Sequence, residues 1–97
     1  MTQALDLNGI LISVDGEKIP CKLVDMTEDK LEIYSIDPVN TGARLQLIIP
    51  NPRLQCTLIV DTVEVSGDSH ILIATPLEGT AHIRAKILEQ KVRGLIR

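Results

Sequence analysis

The 97-residue sequence has no Phe, no Trp and a single aromatic side chain, Tyr34. Modules that read RNA by stacking bases on aromatic rings are excluded as a class. Basic charge is scarce as well. Ten Lys and Arg stand against 13 Asp and Glu, and the sequence pI is near 5.2, which removes the positive surface that binding to nucleic-acid phosphates requires. No apolar run approaches the roughly 18 to 20 residues that cross a bilayer as a helix, and the start Met1-Thr2-Gln3-Ala4 lacks the basic and long apolar segments of a secretory signal. The reading expects no nucleic acid, no membrane insertion and a cytoplasmic protein.

Cysteine is limited to Cys21 and Cys56, each inside an apolar run, the pattern of small reduced core residues. The C-x-x-C spacing that organises zinc ligands is absent, so His70 and His82 gain no metal-binding partner from sequence and no metal is expected. The six glycines are too dispersed to form a phosphate-cradling loop, and no cofactor is expected. Asp68-Ser69-His70 holds the residue types of a hydrolase triad, but neighbours in a turn point in different directions, whereas a triad is assembled by the fold. It reads as a polar hairpin turn, and the chain as a non-enzyme with no catalytic residue.

What is abundant is branched aliphatic residues: Ile, Leu and Val supply 33 of the 97 positions. That is enough for a core without large aromatics, and disorder is excluded on composition. These residues fall in short runs punctuated by Gly, Pro, Asn and Asp, a β signature. Residues 9–14 place Ile10, Ile12 and Val14 on one face and end at Asp15-Gly16, which suits a tight hairpin. Residues 18–26, 30–36 and 44–49 follow, the last closed by Pro50-Asn51-Pro52, whose prolines cannot donate to a ladder. Residues 54–65 set Leu54, Cys56, Leu58 and Val60 against Thr57, Ile59, Asp61, Val63 and Val65, and residues 70–75 return from a turn at Ser66-Gly67-Asp68-Ser69. Six antiparallel strands in so short a chain are most economically closed into a barrel. The expected architecture is mainly β, a six-stranded antiparallel barrel over about residues 4–77 with a helix over about 80–94, in one domain.

The helix is expected between Thr80 as N-cap and Gly94 as C-cap. At about 100° per residue, Ala81, Ala85, Leu88 and Val92 form one apolar stripe, while Ile83 and Ile87 fall nearly opposite. On one reading the barrel takes whichever stripe fits and the other is ordinary exposed apolar surface. On the other, one stripe closes the barrel and the second meets a protein partner or a second copy of the chain, with Ile83 and Ile87, and Lys91 beside them, as the expected anchors. Charge divides unevenly too, since residues 1–81 carry 5 basic and 12 acidic groups and residues 82–97 carry 5 and 1. A basic tail on an acidic body fits either helix-dipole complementarity or docking on an acidic surface.

The segment Val24-Asp25-Met26-Thr27-Glu28-Asp29-Lys30-Leu31, the loop reaching Thr41-Gly42-Ala43-Arg44, two long strands and a C-terminal helix together resemble a PilZ domain over nearly the whole chain. The resemblance implies a six-stranded barrel whose family binds cyclic di-GMP through Arg-x-x-x-Arg ahead of the barrel and Asp/Asn-x-Ser-x-x-Gly between two strands. On that second motif Asp25 matches the acidic position, Thr27 keeps the hydroxyl, and Lys30 replaces the glycine. No arginine precedes Arg44, so the first motif is missing. Lysine poorly replaces the bidentate and stacking roles of arginine. The resemblance therefore implies a degenerate member that does not bind cyclic di-GMP and works as a protein-interaction adaptor in bacterial motility, type IV pilus or biofilm systems. Two alternatives stay open: a receptor that borrows an arginine, from Arg44 or a partner chain, and an unrelated small barrel serving a structural or oligomerisation role.

Overall fold

Alternation decides which side of each strand is buried, and six strands close around those sides. The computed structural model describes residues 3–27, 29–50, 53–78 and 81–92, so the expected caps Thr80 and Gly94 lie outside the described residues. The strands are β1 (Gln3–Ile12), β2 (Lys18–Met26), β3 (Leu31–Ser35), β4 (Arg44–Ile49), β5 (Leu54–Ser66) and β6 (Ser69–Pro76), followed by helix α1 (Ala81–Val92). Neighbours pair antiparallel in the order β1-β2-β3-β6-β5-β4. The ring closes where Ile10, Leu11 and Ile12 of β1 face Ile48, Leu47 and Gln46 of β4. A mainly β, closed six-stranded barrel with a C-terminal helix is what the aliphatic runs predict.

Leu23, Leu31, Ile33, Leu58 and Leu72 fill the interior without measurable exposure. Of the two sides of β5 told apart by alternation, that of Leu54, Cys56, Leu58 and Val60 is buried. Beyond Val60 the alternation slips, because Val60 faces Ala74 while Thr62 already faces Ile73, leaving Asp61 as the extra residue of a β-bulge. The slip moves Val63 from the outer side, where strict alternation puts it, to a half-buried position against the core.

The first strand begins earlier and ends sooner than the expected residues 9–14, at Gln3 and Ile12. Leu7, Gly9 and Leu11 face inward, whereas Ile10 is partly exposed and Val14 lies 82% exposed in the hairpin. Gly9 explains the choice. A Cβ there would sit 2.8 Å from the Ile48 carbonyl oxygen and 3.0 Å from Ile49 Cγ1, so the β1–β4 seam requires the residue without a side chain. The hairpin after β1 is wider than Asp15-Gly16 alone suggests, because Ser13 N–H donates to the Glu17 carbonyl at 2.9 Å across residues 14–16.

Helix α1 plugs the barrel with the stripe that the sequence assigns to a partner. Ile83 is 2% and Ile87 0% exposed, both within the core cluster. The stripe left outside is Ala81, Ala85 and Leu88. The physical reason is apolar burial: two β-branched side chains one turn apart join the core, and each buried isoleucine contributes about 1.5–3 kcal/mol, more than Ala81 and Ala85 of the other stripe offer. Ile83 and Ile87 are therefore structural and not exposed anchors, while the side chain of Lys91 lies outside the described residues.

Candidate functional site

The Asp25, Thr27 and Lys30 pattern occupies the hairpin joining β2 to β3. Each short side chain satisfies backbone nearby: Asp25 Oδ1 accepts from the Met26 N–H at 2.8 Å, and Thr27 Oγ1 accepts from the Lys30 N–H at 3.1 Å. Thr27 N–H donates in turn to the Lys30 carbonyl at 3.0 Å. These are the local bonds that make Asp and Thr common in turns. Lys30 is not left-handed, since the positive-φ residues among those described are all glycines. The turn thus needs no glycine at this position, and the lysine side chain is accommodated.

That side chain crosses to two other strands. Lys30 Nζ donates to Asp61 Oδ2 at 2.9 Å and to Thr75 Oγ1 at 2.7 Å, while the Thr75 hydroxyl donates to the same Asp61 oxygen. The bulge at Asp61 aims the carboxylate at this meeting point. From the helix, Arg84 donates to the Thr27 carbonyl oxygen at 2.6 Å. A turn, a bulge, β6 and α1 are tied together by two cations and one carboxylate. The hydrogen bond from Thr75, then that from Lys30, hold the Asp61 carboxyl below the usual carboxylate range. The trio clamps the β2–β3 turn to β5 and β6.

The remaining sequence candidates lie elsewhere. Arg44 shares the outer row of Lys30 through the pairs Arg44↔Ile59 and Ile59↔Thr75. It stands three strands round the barrel, roughly 14 Å at the usual interstrand spacing, and is not brought to the turn. Cys21 and Cys56 are buried free thiols, pushed up by burial to about 12 and about 11, which disfavours the thiolate of both. No cluster of metal-ligating side chains occurs among the described residues. No described helix is long and apolar enough to cross a membrane.

Sequence reasoning missed Asp61, Thr75 and Arg84 as members of the cluster around Lys30. Their contacts span 31, 45 and 57 positions, and a bulge leaves no mark on an otherwise regular alternation. Three surface depressions are separate from this cluster. The one of about 310 Å³ has Pro20, Lys22, Tyr34 and Ile36 in its wall, that of about 710 Å³ lies at the β4–β5 turn, and that of about 270 Å³ lies beside Arg44. None of the three is lined by Asp25, Thr27 or Lys30.

The class defined by this geometry is a closed six-stranded antiparallel barrel with a C-terminal helix plug. Comparison with family models, with curated proteins and with solved structures finds no match to the chain.

Proposed function

We propose that the chain is a PilZ-like, non-enzymatic adaptor that works in the bacterial cytoplasm through protein contacts and does not itself bind cyclic di-GMP. The setting implied by the resemblance is motility, type IV pilus or biofilm signalling. The observation that carries the reading is the use of the cations around the Asp25 turn. Lys30 is engaged by Asp61 and Thr75, Arg84 is engaged by Thr27, and no arginine precedes Arg44. Two phosphates and two guanine faces entering there would have to break this clamp and would find no bidentate donor to replace it.

The burial of Ile83 and Ile87 moves the helical contact surface of this proposal to Ala81, Ala85 and Leu88, of which Leu88 is 61% exposed. Self-association through α1 then depends on Leu88. Light scattering of a Leu88→Asp variant checks it, a loss of mass relative to the parent being the expected result if the helix mediates a dimer.

Titration of isotope-labelled protein with cyclic di-GMP tests the main reading. Amide signals of residues 25–30 are expected to stay unmoved at millimolar ligand. Saturating shifts at micromolar ligand, lost in Asp25→Ala, would instead establish a receptor with an unconventional arginine source.

A further inference from the structure

We infer that the free edge at the tip of β5 is a docking strand for an extended, basic segment of another protein. On one side, β4 pairs with β5 only from Leu54 to Ile59, and Val60 makes the last bonds there, donating to Ala43 at 2.9 Å and accepting from Gly42 at 2.7 Å. On the other side, β6 follows β5 to the hairpin and is itself covered by β3. Residues 61–66 of β5 consequently have a strand neighbour on one side alone among the described residues.

The hairpin turn settles which groups face the open side. Gly67 has φ 62° at the first position of the two-residue loop and Asp68 is not left-handed, the pattern of a type II′ turn, whose flanking residues Ser66 and Ser69 exchange both hydrogen bonds. Counting back, Glu64 and Thr62 bond to β6. The N–H and C=O of Val63 and Val65 therefore point to the open side, and they have no backbone partner among the described residues. Such a row of paired donors and acceptors is what strand addition uses. The tip is accessible, with Thr62, Glu64 and Ser66 exposed and Val65 69% exposed, and its β-branched residues favour the extended form that a partner strand needs.

Charge selects the occupant. Glu64 lies between the two bonding residues, so the partner residue opposite it sits about 5 Å away on the same face. If a second copy of this chain paired about a two-fold axis and used all four groups, Glu64 would oppose its own symmetry mate, a like-charge contact that disfavours assembly. A Lys or Arg at that place gives the favourable pair, and apolar residues on either side of it meet Val63 and Val65. The fitting partner is an apolar-basic-apolar strand of a different protein. This follows from strand register and charge and does not depend on the PilZ resemblance, so its test is separate from the cyclic di-GMP titration.

The test is an amide-resolved titration of the whole chain with the capped heptapeptide Ser-Thr-Val-Lys-Val-Thr-Ser. The expected result is a shift of the Val63 and Val65 amides that saturates in the millimolar range, with binding about two- to fivefold weaker when Glu replaces Lys in the peptide. Val65→Pro removes one bonding N–H that the β6 ladder does not use, and is expected to abolish the shift while preserving the barrel spectrum. Glu64→Lys provides a second variant, expected to reverse the preference between the two peptides. Absence of shifts at Val63 and Val65, equal binding of both peptides, or the same shifts on concentrating the protein alone would each overturn the inference.

Discussion

The two ends of the β3–β6 ladder treat their polar groups in opposite ways. Where Lys30 meets Thr75, both cations have acceptors, the Thr27 and Lys30 amides bond to a carbonyl and a hydroxyl, and the helix adds Arg84 as a cover. At the other end, where Ser35 pairs with His70, the His70 Nδ1 is buried with no hydrogen-bond partner among the described residues, and the β5 tip beyond it has strand pairing on one side only. The buried His70 nitrogen costs free energy, whereas the edge groups of the exposed β5 tip are open to a partner strand. The motif-bearing end is a structural clamp, and the hairpin end is the one with bonding capacity left over.

The largest effect that would sharpen this contrast lies in the helix plug. Ile87→Ala removes a side chain with no exposure and is expected to cost about 2–5 kcal/mol, whereas Leu88→Ala, one residue on, is expected to stay within about 0.5 kcal/mol. Urea unfolding reads both as midpoint shifts at constant slope. Equal costs would mean that α1 does not plug the barrel with its isoleucine stripe. Next in size is Gly9→Ala, which forces a methyl against Ile48 and Ile49 at the β1–β4 seam and is expected to cost about 1–3 kcal/mol by the same measurement.

Both of these positions show where the sequence misleads. The alternation of the β5 run is legible because Leu54, Cys56, Leu58 and Val60 form an unbroken apolar row, while the other side carries Gln55, Thr57 and Asp61 beside Ile59. Along β1 and into its hairpin the more hydrophobic set, Ile10, Ile12 and Val14, is the outward one, and the inward face of β1 carries a glycine whose value is visible only once β4 lies against it. In α1 the isoleucine pair Ile83 and Ile87 is buried in the core, while Ala81, Ala85 and Leu88 of the other stripe stay outside. The candidate site was legible only as a turn. Asp25 and Thr27 betray themselves by their local bonding habits, but the partners of Lys30 come from strands far along the chain and from a bulge that periodicity does not register.

A smaller effect is expected at the clamp. Lys30 and Asp61 are each more than a third exposed at the side chain, so solvent screening limits the loss in Lys30→Met to about 1 kcal/mol or less. Its pH dependence has a definite sign. The folded Asp61 carboxyl titrates below its unfolded value, so its stabilisation is complete above the unfolded carboxylate pKa, near about 4, and is lost as pH falls through the lower folded value. Asp61→Asn is expected to remove that part of the acid limb in a series of unfolding curves at decreasing pH. An unchanged limb would mean that the clamp is not formed in solution.

The smallest expected effect is none at all. Cys56 is buried and lines none of the three depressions, and burial pushes its thiol up to about 11, so no reaction with a disulfide reagent at pH 8 is expected until the barrel unfolds. Rapid labelling of Cys56 under native conditions would show that the barrel opens beside β5 and would weaken the picture of a closed ring.

Native-state amide hydrogen exchange along residues 62–66, read in the same spectrum as Lys30, tests the contrast between the two ends most directly. The account predicts alternation at the tip, with the Thr62 and Glu64 amides protected by β6 and those of Val63 and Val65 exchanging freely, while the Lys30 amide is protected by Thr27. Uniform protection from Thr62 to Val65, or free exchange at Lys30, would contradict it.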